Sequence, residues 1–255
     1  MINSIVFFDI YQTLLEVDSR NIDHIEPEEY LETIRPYFAS PDGLPSLPEL
    51  LRRVRELIRT EQNAAHGISH PEVQWGHILH SALPKEFAGQ LSEEQIQPFA
   101  ADIMRLQQNV RLFPNAEKTL EAILKKSPAT KLGLLSNAQH YTLLELENCL
   151  KPVGLSLEIF DPEFTFLSFR FGFSKPGRYP FRMMTARATE QRIPLSNILM
   201  VGDKLDNDIE PARASGWKTF HLRPDAASTP GGNHLQLIKF LEAEFFKELV
   251  SEQKK

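Results

Sequence analysis

Short apolar runs separated by amphipathic segments dominate two parts of the chain. The first run, IVFF at residues 5–8, is uninterrupted and rich in β-branched and aromatic side chains. Such a run is typical of a strand that is buried on both faces in a parallel sheet. The same pattern predicts further strands at residues 131–135, 198–201 and 219–222, with a weaker candidate at residues 164–169.

Helical periodicity fills the intervals between these strands. Residues 115–126 and 181–191 carry apolar side chains at the spacing of an amphipathic helix. Strands that alternate with helices of about 10–15 residues form βαβ units around a parallel sheet. The pattern therefore predicts an α/β protein, with a last amphipathic helix at residues 234–250.

A long stretch, residues 18–111, interrupts this alternation. Helix-like patterns occur at residues 48–60, 72–83 and 92–112. Turns that contain proline or glycine separate them, and the stretch shows no convincing strand pattern. It is therefore predicted to be a helical domain inserted into an α/β core of residues 1–17 and 112–255.

Composition and charge restrict the possible partners. The 255 residues are 42% hydrophobic and 24% charged, which is ordinary for a globular protein with a sizeable core. A formal net charge of −6, without a long run of Lys or Arg, excludes an electrostatic footprint for nucleic acid or an anionic membrane. Small phosphorylated molecules remain candidate partners, because a local pocket can be positive on an acidic protein.

Cysteine content and the lack of a targeting pattern favour a reducing compartment. Cys149 is the only cysteine, so no intramolecular disulfide can form. The sequence shows neither a signal-peptide pattern nor an apolar stretch that approaches about 18 residues. We therefore expect a cytoplasmic protein.

Polar side chains that could carry chemistry follow the predicted strands. In open α/β sheets, ligands bind outside the carboxyl ends of the strands, so polar groups at these positions can converge on one site. Taken alone, each position is explained equally well as a turn residue. The candidates are Asp9 and Thr13 after the first run, Ser136 and Asn137 after the second, Gly202, Asp203 and Asp208 after the third, and Lys175 before a predicted helix.

Taken in order, these positions resemble the four motifs of the haloacid dehalogenase superfamily of hydrolases. DIYQT is similar to motif I, LGLLSN to motif II, Lys175-Pro176 to motif III and VGDKLDND to motif IV. The resemblance covers roughly residues 1–16 and 112–225. It implies a Rossmann-like, doubly wound parallel sheet, with the helical stretch where this superfamily carries a cap that selects the substrate.

The resemblance also implies a phosphatase-type mechanism with Mg²⁺ as cofactor. Asp9 would attack a small phosphate ester and form an aspartyl-phosphate. Asp9 and Asp203, with the backbone carbonyl of Tyr11, would supply the hard oxygen ligands that suit Mg²⁺. Asp208 would lie in or next to that shell. The phosphate would be bound by Ser136, Asn137 and Lys175.

Two residues of motif I depart from the phosphatase pattern. Phosphatases of this superfamily usually have a catalytic aspartate two residues after the nucleophile, followed by glycine, where this chain has Tyr11 and Gln12. That aspartate protonates the leaving oxygen, and tyrosine, with a reference pKa of about 10, is a poor substitute near neutral pH. Loss of acid–base help typically costs about 10²–10⁴ in rate, so a slow phosphatase is expected.

Tyr11 keeps two alternatives open. A non-catalytic member could retain the fold and bind a phosphorylated ligand or a protein partner. Tyrosine at this position also resembles the 2-haloacid dehalogenases of the superfamily, which need no metal. Their fourth motif lacks the Gly-Asp pair, however, and Asp203 would leave an uncompensated charge beside Asp9 unless a cation lay between them. Lys204 is a further departure, since a small hydroxyl residue usually follows that aspartate.

Other residues invite weaker hypotheses. Arg170 is a candidate for contact with a second anionic group of the substrate. Cys149 has no sequence context of a nucleophile and is expected to be buried. Pro71 divides a histidine-rich segment in which no HExxH-like acid occurs, so surface or interdomain contacts are expected there rather than a metal site. These histidines are His66, His70, His77 and His80.

Overall fold

The structure, a computed structural model, describes residues 4–223 and 230–247 of the chain. Eight strands form two sheets within these residues. The strands are β1 (Ser4–Phe8), β2 (Leu15–Ser19), β3 (Gln108–Leu112), β4 (Thr130–Ser136), β5 (Phe160–Leu167), β6 (Ile198–Gly202), β7 (Lys218–Leu222) and β8 (Gly231–Gly232).

Eleven α-helices accompany the strands in the same part of the chain. The helices are α1 (Pro27–Ile34), α2 (Leu47–Ala64), α3 (Trp75–Ala82), α4 (Lys85–Ala88), α5 (Glu93–Gln107), α6 (Ala116–Lys126), α7 (His140–Leu150), α8 (Ser168–Phe171), α9 (Arg178–Glu190), α10 (Glu210–Ala214) and α11 (His234–Phe240). π-helical turns occupy Leu205–Ile209 and Leu241–Phe245.

Six strands form one parallel sheet in the order β5-β4-β1-β6-β7-β8. All residues of β1 are buried, which explains its apolar sequence, because a central parallel strand is covered on both faces. From β1 the chain runs outward to β4 and β5 on one side and returns to β6 on the other. The carboxyl end of β1 therefore lies at the topological switch point, where ligands bind in sheets of this class.

Helices cover both faces of this sheet. Val6 and Phe8 point into a core that is completed by α6, α7 and α11. Ile5 and Phe7 point to the opposite face, where α9 packs and the Phe7 ring stacks on Trp217 at a centroid distance of 5.1 Å. Successive strand side chains alternate between faces, so β1 contributes to both layers. The prediction of a Rossmann-like, doubly wound α/β sheet is confirmed.

Helices α1 to α5 lie between β2 and β3 and form a cluster of their own, called here the helical segment (residues 22–107). Its core contains Phe38, whose ring packs edge-on against Phe87 and Phe99, each at a centroid distance of 5.6 Å. The helical segment therefore buries its apolar faces against one another. The division of the chain into a core and a cap stays a prediction.

The expectation that residues 18–111 contain no strand is wrong at both ends of this stretch. β2 and β3 pair antiparallel and form the second sheet. Arg111 stabilises the pair through ion pairs with Glu16 and Asp18, both at 2.9 Å. Neither strand has a long apolar run, and the two partners are far apart in the chain, so no local pattern reveals them. The predicted boundaries after residues 17 and 111 fall inside these strands.

The predicted helices are present with shifted ends. α2 extends beyond residues 48–60, and α5 ends at Gln107 because the chain enters β3 there. The C-terminal helix begins at His234, as expected, and its predicted end lies outside the described residues. Within those residues, no helix combines the length and the apolar character needed to cross a membrane.

Candidate active site

The candidate site lies at the carboxyl edge of the sheet, where β1, β4 and β6 end. Asp9 follows β1 directly, and its backbone N–H donates to the carbonyl of Val201 at 3.0 Å. Ser136 is the last residue of β4, and Asp203 follows β6. Because the three strands are parallel neighbours, their ends bring these polar side chains to one edge.

Three buried carboxylates meet one buried ammonium at this edge. Asp9, Asp203 and Asp208 each offer a carboxylate oxygen, and these oxygens all lie within 4.8 Å of one another. Lys175 Nζ donates to Asp9 Oδ1 at 3.0 Å and to Asp208 Oδ1 at 2.5 Å. The four side chains carry a net charge of −2 when all are ionised, which is a costly arrangement in a buried site without a cation.

Asp203 has the least satisfied carboxylate of the cluster. Its Oδ1 atom is buried and has no hydrogen-bond partner among the described residues. Burial raises the pKa of this carboxyl group and the neighbouring Asp9 charge raises it further, while the Lys204 and Arg223 charges oppose the shift without cancelling it. Carboxylate oxygens in a compact cluster are the donor set that Mg²⁺ takes, so these residues fit a divalent cation of this kind.

Asp208 is fixed by its neighbours in the π-helical turn. Its Oδ2 atom accepts the backbone N–H of Lys204 at 3.0 Å, while the Lys204 side chain is exposed. A Cβ atom at Gly202 would lie 2.5 Å from the Asp208 side chain, so the close approach requires glycine at that position. Burial raises the pKa of Asp208, the Lys175 ammonium opposes this shift, and the Asp9 charge adds to it.

Lys175 is held in the site by its own backbone as well as by its side chain. The Asn137 amide donates to the Lys175 carbonyl at 2.9 Å and accepts the Lys175 N–H at 2.8 Å. Burial alone would lower the pKa of Lys175, but the Asp208 and Asp9 charges outweigh it and raise the pKa. The ammonium is therefore protonated. Asn137 uses both ends of its amide to position this lysine, and its expected contact with phosphate stays a prediction.

Two hydroxyl groups of the motifs are free of protein partners. Ser136 is 1% exposed, and its hydroxyl makes no hydrogen bond to any described residue. Thr13 is fully buried, and its Oγ1 atom is likewise without a partner in this part of the chain. The Ser136 hydroxyl thus remains available to a ligand at the strand end.

Tyr11 turns its side chain away from the aspartate cluster. Its hydroxyl donates to the Glu145 carboxylate of α7 and lies 3.1 Å from Thr142 Oγ1. Burial and the nearby Glu145 charge raise the pKa of Tyr11 far above its ordinary value. The Tyr11 hydroxyl is therefore engaged by α7, and a catalytic role for this residue stays a prediction. Its backbone carbonyl as a metal ligand stays a prediction.

The helical segment contacts the core next to the lysine. Ser174 donates its backbone N–H to the His70 carbonyl at 2.9 Å. Glu72 accepts hydrogen bonds from Ser168 Oγ at 2.7 Å and from Gln139 Nε2 at 3.2 Å. Sequence reasoning missed Glu72 and its partners because isolated polar residues in loops form no motif.

The weaker candidates lie apart from the aspartate cluster, which is the one group of potential metal ligands found in the described residues. The four histidines of the helical segment do not contribute to it, and His80 Nε2 lies 3.0 Å from a backbone carbonyl. Arg170 is exposed, with its guanidinium 5.6 Å from the Phe169 ring centroid. Cys149 is half-buried, and burial raises the pKa of its thiol.

Sequence comparison connects the site to a known family. Residues 173–229 match the HAD-hydrolase-like family model, and this stretch contains Lys175, Asp203 and Asp208. The uncharacterized protein YMR130W of Saccharomyces cerevisiae is 25% identical over 230 residues, which are 84% of this chain and 69% of that protein.

Solved structures share the architecture. A 2-haloacid dehalogenase from Pseudomonas syringae pv. Tomato DC3000 superposes with a TM-score of 0.57 and 21% identity, over 95% of this chain and 99% of the other. A HAD phosphatase from Thermococcus onnurineus superposes with a TM-score of 0.52 and 20% identity, over 94% of this chain and 98% of the other. The putative HAD-hydrolase YfnB from Bacillus subtilis, in a structure bound to magnesium, superposes with a TM-score of 0.51 and 16% identity, over 95% of this chain and 100% of the other.

At these identities the solved structures establish the fold, and dehalogenases and phosphatases both occur among them. The shared fold therefore assigns no activity to this chain. Residues 173–229 are thus similar to the HAD-hydrolase-like family, and the chain as a whole shares its fold with these solved structures.

Proposed function

We propose that the chain is a Mg²⁺-dependent, phosphatase-type hydrolase of small phosphate esters. The observation that supports this most is the buried, unpartnered Asp203 Oδ1 beside two other buried carboxylates and a single ammonium. A divalent cation would balance the excess charge of the cluster. Bound Mg²⁺ would supply a Lewis acid that stabilises negative charge on the phosphoryl oxygens.

Asp9 would act as the nucleophile. Its Oδ1 atom accepts a hydrogen bond from Lys175, which fixes the carboxylate and leaves the second oxygen to attack. That oxygen would bond to phosphorus while the bond from phosphorus to the leaving alcohol breaks, giving an aspartyl-phosphate. Water would then attack the same phosphorus, and cleavage of its bond to Asp9 would release inorganic phosphate and restore the carboxylate.

Lys175 and Ser136 would bind the transferred phosphoryl group. The protonated ammonium offers a compact point charge, and the free Ser136 hydroxyl can donate a hydrogen bond to a phosphoryl oxygen. Asn137 would act through Lys175, since it holds the backbone from which the ammonium extends.

The Tyr11 contacts support a restriction on the leaving group. Because its hydroxyl donates to Glu145, Tyr11 has no free proton to give to a departing alcohol. General acid help typically contributes about 10²–10⁴ in rate, and esters of ordinary alcohols need it most. The preference for esters of good leaving groups should therefore exceed that of an enzyme with a general acid by about this factor.

The direct test is phosphate release from p-nitrophenyl phosphate with Mg²⁺ and with EDTA. Asp9→Asn should abolish turnover, and EDTA should suppress it. Asp206→Asn is the matched control, because Asp206 is an exposed aspartate of the same π-helical turn and lies outside the cluster. Purified protein that releases no phosphate with Mg²⁺ present would refute the proposal.

A non-catalytic role that binds a phosphorylated ligand is the second candidate, and the engaged Tyr11 side chain favours it. Isothermal titration with inorganic phosphate and Mg²⁺ separates the two: binding without turnover of any activated ester supports the second. Dehalogenation is the third, and Asp203 argues against it, since in a metal-free site burial and the Asp9 charge destabilise that carboxylate despite the Lys204 and Arg223 charges. Chloride release from 2-chloropropionate in EDTA would favour it.

A further inference from the structure

We propose that His234, at the start of α11, is a positioning residue that holds the loop carrying the nucleophile. This inference rests on the proposed role of Asp9. The C-terminal helix lies outside all the motifs considered above, so nothing in them assigns a function to this histidine.

The contacts of His234 are buried and determine its tautomer. Its side chain is 1% exposed, and Nε2 lies 2.9 Å from the backbone carbonyl of Thr13. A carbonyl only accepts, so Nε2 must carry the proton. Nδ1, 2.9 Å from Thr119 Oγ1, is then the acceptor of the threonine hydroxyl. The Thr13 carbonyl thereby fixes the tautomer, and the Thr119 hydroxyl of α6, which can donate or accept, adapts to it.

The loop between Asp9 and β2 is a tight turn held largely by backbone hydrogen bonds, among them Thr13 N–H to the Ile10 carbonyl at 3.3 Å and Phe113 N–H to the Leu14 carbonyl at 2.8 Å. Leu14 and Leu15 both donate their backbone N–H groups to the Ile10 carbonyl, at 2.8 and 2.9 Å. Gln12 has φ of +60°, a left-handed conformation that costs a non-glycine residue about 1–2 kcal/mol. A strained turn of this kind persists only when its surroundings hold it.

Two side-chain contacts hold this turn from opposite sides. The Tyr11 hydroxyl is bound to α7 through Glu145, and the Thr13 carbonyl is bound to α11 through His234. The Thr13 hydroxyl adds no tether, since it has no partner among the described residues. Loss of the His234 contact would leave the Thr13 carbonyl, four residues from Asp9, without its side-chain donor and would loosen that side of the turn. The attacking carboxylate would then be less well positioned.

Paired variants of the full chain separate this role from packing. In His234→Gln the side-chain amide nitrogen lies at about the position of Nε2, so its N–H can still donate to the Thr13 carbonyl. In His234→Asn the shorter side chain places that nitrogen at about the position of Nδ1, so the contact with Thr13 is lost. Leu150→Ala is the packing control, because Leu150 is fully buried in the same hydrophobic core and is not part of the site.

Two readouts apply to all three variants: hydrogen exchange of the peptide that covers residues 10–15, and kcat and KM for p-nitrophenyl phosphate. His234→Asn should speed exchange in this peptide about 10-fold or more. It should also lower kcat about 10- to 100-fold with KM nearly unchanged. His234→Gln should stay within about threefold of the wild type, and Leu150→Ala should lower Tm without either local effect.

Equal behaviour of His234→Asn and His234→Gln would overturn the inference, as would an unchanged exchange rate in His234→Asn. Similar losses in Leu150→Ala would also overturn it, since they would reflect stability alone. If the wild type releases no phosphate, the proposed function fails, and the exchange measurement still decides whether His234 holds the loop.

Discussion

Replacement of Lys175 by methionine removes the one ammonium that contacts the aspartate cluster in the described part of the chain. Lys175 is 3% exposed, Asp208 is fully buried, and Asp9 is 8% exposed, so water cannot replace the lost partner. Removing one member of a buried ion pair typically costs about 3–5 kcal/mol, because the remaining charge stays buried and uncompensated. We expect a loss of this size in the free energy of unfolding at pH 7.5 without metal.

The loss should depend on pH and on Mg²⁺. Burial already raises the pKa of Asp208 against the opposing Lys175 charge, so in Lys175→Met this pKa rises further. A carboxyl group whose folded pKa is raised destabilises the fold above that pKa, and the penalty disappears as pH falls through it and the group takes up a proton. The variant should therefore lose less stability at pH 5 than at pH 7.5. Mg²⁺ should restore part of the loss at pH 7.5, because it supplies a positive partner for the carboxylates.

Urea unfolding at both pH values, with EDTA and with Mg²⁺, measures these differences. Lys131→Met is the matched control, since Lys131 pairs with Asp161 at 2.7 Å with side chains 32% and 21% exposed. Such a partly exposed pair contributes about 0–1 kcal/mol, and its loss should be insensitive to Mg²⁺. Equal losses in the two variants, or a Lys175→Met loss that is the same at both pH values, would refute the reasoning about buried charge.

Three further predictions concern the same loop and cluster. Mg²⁺ affinity measured by calorimetry should fall from pH 8 to pH 5.5, because protons compete for Asp203 and Asp208, whose pKa values are raised mainly by burial; a constant affinity would contradict this. Tyr11→Phe should lower the free energy of unfolding by about 1–3 kcal/mol, because Glu145 loses a buried hydrogen-bond donor. It should also lower kcat for p-nitrophenyl phosphate and speed hydrogen exchange at residues 10–15, because the hydroxyl is one of the side-chain contacts that hold the turn next to Asp9; a fall in kcat with unchanged exchange would mean that Tyr11 acts in the reaction and not through the turn. Gln12→Gly should raise the free energy of unfolding by up to about 1 kcal/mol, seen as a modest rise in Tm, because glycine adopts φ of +60° without strain. A fall in Tm would mean that the Gln12 side chain stabilises the fold by more than its backbone strain costs.

The sequence alone determined the strands that form the site and the residues at their ends. β1 and β6 are continuous apolar runs because both faces of a central parallel strand are covered, and this rule is local enough to read directly. Since parallel neighbours end at the same edge, the motif order was sufficient to predict that Asp9, Asp203 and Asp208 meet. The structure brings their carboxylates together as that argument requires.

Side-chain direction was beyond the reach of motif reasoning. Tyr11 stands where a catalytic aspartate is usual, but its ring packs against the core and its hydroxyl reaches Glu145. Asn137 lies next to the expected phosphate, but both ends of its amide bind the backbone of Lys175. Each choice depends on a partner distant in the chain.

What only the tertiary structure decided is how the turn after Asp9 and the Lys175 side chain are held. The β2–β3 pair, the Glu72 contacts and the His234 contact with Thr13 all join residues that are remote in sequence. A periodic pattern reports which face of an element is buried, whereas a single hydrogen bond between distant residues leaves no periodic signal. Chain pattern therefore determined the chemistry available at the sheet edge, and long-range packing decided which of those groups are free to act.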